Sequence, residues 1–133
     1  MSHGILLFAH GARDPAWSAP FEQARDRLQQ HHGGGPVLLA FLEFMSPDLL
    51  AAGTELARQG CQRVTVVPLF LGAGGHVRKD LPRLLGELRE QHPGVQWVLS
   101  PAVGETDILV EALARSAEHL ARHTQVSVDQ PAP

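Results

Sequence analysis

The sequence predicts an α/β domain on a four-stranded parallel sheet in the flavodoxin-like order 2-1-3-4, with helices on both faces as a three-layer sandwich. Three observations carry this reading. Short apolar segments alternate with longer segments of helical periodicity, as in a chain of right-handed strand–helix–strand units. The apolar segments are apolar almost throughout rather than at every second residue, which marks strands covered on both faces. The chain has 133 residues, 44% of them apolar, enough for one core and no obvious second one.

The elements follow in order. The first strand is read over 4–10, GILLFAH. A helix is predicted over 15–32, where Trp17, Phe21, Ala24 and Leu28 recur at helical spacing and Trp17 has core packing as its default role. Pro20 lies inside that pattern and predicts a later start or a bend. The second strand is 37–43, VLLAFLE. The helix over 46–59 is expected to open on Ser46 and Pro47: the serine can cap free N–H groups, and proline lacks the one it would leave unpaired. In the third strand, 63–69, Pro68 should end regular pairing or mark a bulge. A helix over 80–92 is expected to open on Asp80; the fourth strand is 95–100, and the last helix 105–123. Glycines at 33, 60 and 94 are expected to close the first three helices. The end of the chain lacks helical pattern and finishes in prolines, so residues 1–123 form the domain and 124–133 a disordered tail.

Composition excludes some functions. Net charge is −3 with both signs mixed along the chain, which argues against nucleic acid as a partner. No apolar run approaches the roughly 20 residues that span a bilayer, so no membrane partner is expected. The apolar start has no basic leader or small-residue cleavage site and reads as a strand. The single cysteine, Cys61, cannot form an intrachain disulfide; it reads as a small buried apolar residue in a cytoplasmic protein.

The chemistry lies where the apolar segments end. His10 closes the first strand, Glu43 the second, and His76 falls in the loop after the third, at even intervals of 33 residues. In an open parallel sheet, ligands bind beyond the carboxyl ends of the strands, where strand order reverses. With order 2-1-3 these three side chains can meet on one rim. Two imidazoles and a carboxylate suit Co²⁺, Ni²⁺, Fe²⁺ or Zn²⁺ and serve Mg²⁺ or Ca²⁺ poorly. Three ligands also leave positions open for exchange. The same histidines could act as bases, since an unperturbed imidazole titrates near pH 6.5, or could merely close their strands with local hydrogen bonds.

The glycines before His76, in GAGGH, let backbone approach a bulky flat ligand, which makes Gly74 and Gly75 candidate ligand contacts. Neither a dinucleotide fingerprint nor a phosphate loop is present. Arg13, Arg78 and Lys79 could meet anionic groups of that ligand, although solvation is the ordinary role of such residues. His31 and His32 end a helix, where positive charge is favoured. His119 and His123 share a helix face at a zinc-holding spacing, but no Glu follows the first of them, and surface placement is expected.

Three stretches, LLFAHGARDPAW (6–17), AFLEFMSPDL (40–49) and VVPLFLGAGGHVRKDLP (66–82), occur in the order and spacing of a known family. Over residues 4 to about 120 the chain resembles the small sirohydrochlorin chelatases of the CbiX/SirB type. The resemblance implies a class II chelatase fold and insertion of cobalt, or else iron or nickel, into a reduced tetrapyrrole for cobalamin or sirohaem. It implies His10 and His76 as the metal-handling pair and Glu43 as the carboxylate beside them. It also implies a divalent metal as substrate with no tightly bound cofactor, a sirohydrochlorin-like partner, and a homodimer, since many relatives carry two such domains. Ala12 stands where the family often has a serine. Two other classes compete. A non-catalytic metal or tetrapyrrole carrier would use the same residues. A histidine-dependent phosphoryl-transfer enzyme would want an arginine where Ala9 stands.

Overall fold

The computed structural model describes residues 2–72 and 74–129, with the side chains of 75–78 outside the described residues. Strands β1 (His3–Ala9), β2 (Val37–Phe41), β3 (Arg63–Pro68) and β4 (Gln96–Leu99) form one sheet in the order β2-β1-β3-β4. All three pairings are parallel. Order, direction and strand positions agree with the sequence reading. The helices are α1 (Ala19–His31), α2 (Leu49–Arg58), α3 (Gly75–Gln91) and α4 (Asp107–His123), and residues 124–129 carry no helix or strand.

The sheet separates two apolar layers. On one side Leu6, Phe8, Val64 and Val66 pack against Leu49 and Leu56 of α2 and Leu85 and Leu88 of α3. On the other, Leu7, Ala9, Leu39 and Phe41 meet Trp17, Phe21 and Leu28, with the Trp17 and Phe21 rings 4.6 Å apart. Strands buried from both sides cannot alternate apolar with polar, and this left the runs seen in the sequence.

Helix boundaries differ from the expectation at several points. The segment 15–32 is two pieces: a 3-10 turn over Pro15–Ser18, capped by Asp14, precedes α1. Pro20 then falls in the first turn of α1, where no donor is needed. Helix α2 does not open on Ser46. The Ser46–Pro47 bond is cis, and Asp48 caps instead, its Oδ1 accepting from the Ala51 N–H at 2.8 Å. Helix α3 begins five residues before Asp80, with Gly74 as its N-cap in extended backbone; Asp80 lies within the helix and faces Arg83 at 3.7 Å. Of the three closing glycines only Gly60 is left-handed, at φ 87°. At the ends of α1 and α3 the N–H groups of His32 and His92 bond to Leu28 O and Leu88 O, each at 2.8 Å.

Pro68 does end β3. The Leu69 N–H donates to Phe8 O at 2.7 Å, so the amide position of Pro68 faces the other neighbour. There β4 has already finished, its final bond running from the Ser100 N–H to Val66 O at 3.0 Å. Proline thus occupies the one place where an interior strand needs no donor.

Helix α4 stands apart from the layers. None of its residues is buried, and Ile108, Val110, Leu113 and Leu120 are exposed. On the α1 side of the sheet, Thr65, Val67, Leu69 and Val98 are only half-buried. An apolar helix face and a half-covered sheet face therefore coexist in one chain. No helix among the described residues is long and apolar enough to cross a membrane.

Candidate metal-handling site

Beyond their last paired residues β1 and β2 stay together. The Leu42 N–H donates to Ala9 O at 2.9 Å and the Glu43 N–H to His10 O at 3.1 Å. These bonds bring the two chain ends to one level, with His10 Nε2 and Glu43 Oε1 3.8 Å apart. Both side chains are half-exposed, at 51% and 49%. That separation is too long for a hydrogen bond. It suits two ligands of one cation: with bonds of about 2.0–2.2 Å, ligand atoms stand roughly 3 to 4 Å apart, depending on the angle at the metal.

The surroundings fix this geometry. Gly11 has φ +93°, and a Cβ there would lie 1.9 Å from Glu43 O, so the β1 exit can press on Glu43 only as glycine. Phe44 takes a left-handed φ of 67°, which turns the chain directly after Glu43. Its ring is 57% exposed and carries the Arg13 guanidinium 4.8 Å above its centre. Phe70, buried after β3, sets its ring edge-on to His10 at 5.7 Å. Phe70 is itself held by the Gly104 N–H, which donates to its carbonyl at 2.9 Å. Leu71 follows, 68% exposed.

Of the residues singled out in the sequence, His10 and Glu43 are brought together, and Arg13 lies beside them on Phe44. His76 sits by its backbone in the first turn of α3 rather than in a loop. The side chains of His76 and Arg78, and the surroundings of Gly75, lie outside the described residues. Gly74 and Lys79 are exposed at the start of α3. Among the described residues no three His, Cys, Asp or Glu side chains converge. Sequence reasoning missed Phe44, Phe70 and Leu71; the only signal was apolar residues continuing past the strand ends. Between this rim and α2 and α3 lies a cavity of about 190 Å³ bounded by Phe41, Leu42, Asp48 and Arg83. Small-molecule pockets run to roughly 300–1,000 Å³, so this one is too small to enclose a macrocycle.

The other histidines lie elsewhere. At the amino end of the sheet His3 Nε2 meets Thr65 Oγ1 at 2.8 Å, and His32 Nε2 meets the His3 carbonyl at 2.7 Å. Burial, with Arg63 and His32 adding to it, lowers the His3 imidazole below its ordinary range. Cys61 is buried and unpaired, as expected.

The sequence model of the CbiX family matches residues 4–120. The chain belongs to the CbiX family. A sirohydrochlorin cobaltochelatase of Sulfurisphaera tokodaii is 29% identical over 120 residues, covering 90% of this chain and 95% of the relative. A crystal structure described as a CbiX protein from Marinobacter aquaeolei is 31% identical, with a TM-score of 0.81 over 92% of this chain and 99% of that one. The chelatase SirB of Bacillus subtilis subspecies spizizenii, solved in complex with cobalt, superposes with a TM-score of 0.80 at 21% identity. The match takes 91% of this chain but 52% of SirB, so the CbiX-family chain corresponds to about half of it. At that identity SirB speaks for the fold alone.

Proposed function

We propose that this CbiX-family protein is a sirohydrochlorin chelatase, inserting Co²⁺ first, and also Fe²⁺ or Ni²⁺, into a reduced tetrapyrrole for cobalamin or sirohaem. The convergence of His10 and Glu43 at the carboxyl ends of β1 and β2, beside the β1/β3 switch point of the sheet, carries this reading. The cobaltochelatase of S. tokodaii supports it from a different direction. Insertion asks two things: the cation sheds waters, and the macrocycle loses two pyrrole protons. His10 holds the ion on the open side, joined by His76, and Glu43 completes its shell or takes a proton. The exposed Phe44 and Leu71 offer apolar surface to the flat ring. Arg13, Arg78 and Lys79 meet its carboxylates, and Gly74 and Gly75 let backbone come close.

The test is turnover. Purified protein with excess sirohydrochlorin and Co²⁺, Fe²⁺ or Ni²⁺ in turn should convert many equivalents, followed by absorbance. Saturation at one equivalent would mean a carrier instead.

The working form is a homodimer in the cytoplasm, where an unpaired Cys61 stays reduced. Two observations favour pairing: the apolar face of α4 has no cover, and the half-covered face of β3 and β4 suits such a helix. A second copy also gives the macrocycle the wall that the 190 Å³ cavity cannot. Light scattering should give twice the chain mass, and Leu113→Glu with Leu120→Glu should halve it and cut insertion. A fully active monomer would end this reading.

A further inference from the structure

We propose that His119 and His123 form a second divalent-cation site on α4, separate from His10 and Glu43 and suited to a borderline ion such as Ni²⁺, Co²⁺ or Zn²⁺. The proposal does not depend on the chelatase reading. The two residues lie one turn apart near the end of α4, where side chains at i and i+4 are neighbours. Their ring centres are 4.5 Å apart with the planes at 41°. An ion held by two imidazoles at about 2.0–2.1 Å needs their nitrogens roughly 3 Å apart. Ring nitrogens lie on the periphery, so small side-chain rotations satisfy this from the observed spacing.

Three further features favour an ion there. Neither imidazole has a hydrogen bond to another described residue, whereas His3 and His32 spend their Nε2 atoms on Thr65 and on backbone. The nearby cations are neutralised: Arg115 pairs with Glu111 at 2.9 Å and Arg122 with Glu118 at 3.0 Å. The pair also sits in the last turns of a helix, whose partial negative charge favours a cation. Imidazole selects borderline metals over Mg²⁺ and Ca²⁺. With two protein ligands, water or a third donor fills the remaining positions. At 3.6 residues per turn the pair points roughly 80° away from the stripe of Leu109, Leu113 and Leu120. The pair thus flanks that stripe rather than lying within it.

Equilibrium dialysis of the full chain, without a histidine tag, against Ni²⁺ alone tests the site. The unaltered protein should hold one more equivalent than His119→Ala/His123→Ala. Either single variant should weaken that equivalent by about tenfold or more, because the chelate is lost. The His10→Ala protein should keep it, so failure of the chelatase reading and failure of this one are separable. Ni²⁺ should also broaden the ring-proton NMR signals of His119 and His123 together. Equal Ni²⁺ stoichiometry in the unaltered and doubly substituted proteins, or broadening that spares these two rings, would overturn the proposal. Since α4 buries none of its residues, these substitutions leave the fold in place.

Discussion

Replacing His10 with alanine should lower metal insertion by at least about a hundredfold, the scale at which a positioned acid–base group contributes, and leave stability almost unchanged. The imidazole is half-exposed and, among the described residues, meets Glu43 and the edge of Phe70. Its loss opens no core cavity, and the melting temperature should move by no more than a surface substitution moves it, within about 0.5 kcal/mol. Insertion and stability therefore come apart, which distinguishes a residue that handles the ion from one that supports the fold. Glu43→Gln separates the two roles left open for the carboxylate. Should Glu43 be a ligand, Co²⁺ binding weakens along with insertion; should it only accept a proton, binding survives and insertion falls. Rates for His10→Ala within about threefold of the unaltered protein, well inside the range of indirect effects, would remove this site from the mechanism.

Gly11→Ala should damage both stability and insertion without touching a reacting group. At φ +93° an alanine is strained, and its Cβ would lie 1.9 Å from Glu43 O. A left-handed backbone costs roughly 1–2 kcal/mol for a residue with a Cβ, and the clash must be relieved by moving backbone. A total near 2–4 kcal/mol is expected, read as a fall of roughly 10 °C in melting temperature for a domain of this size. Relief of the clash shifts Glu43 away from His10 and opens the 3.8 Å gap. Protein that still folds should insert metal poorly with every candidate ligand intact. A Gly11→Ala protein as stable and active as its parent would show that the close approach does not position Glu43.

Most of the fold was legible because a doubly covered parallel sheet writes itself as apolar runs with fixed ends. The run ends located His10 and Glu43, and the strand order made them neighbours. Helix starts were less legible. Ser46–Pro47 has the composition of a cap, but the following Asp48 fills that place. Asp80 looks like a cap and instead pairs within its own helix. Phe44 and Phe70 were hidden for another reason: an aromatic residue after a strand reads as core whether it is buried, as Phe70 is, or turned outward by a left-handed backbone, as Phe44 is. The helical pattern over 105–123 located α4. Periodicity says which side of a helix avoids water and nothing about what shelters it.

The amide of Gly104 has a wider meaning. It belongs to the short turn that leads into α4, and it grips the carbonyl of the residue whose ring braces His10. The exposed apolar helix and the His10 imidazole are thus linked through Gly104 and Phe70. Pairing of copies through α4 would therefore pull, by that short linkage, on the ring that lies against His10.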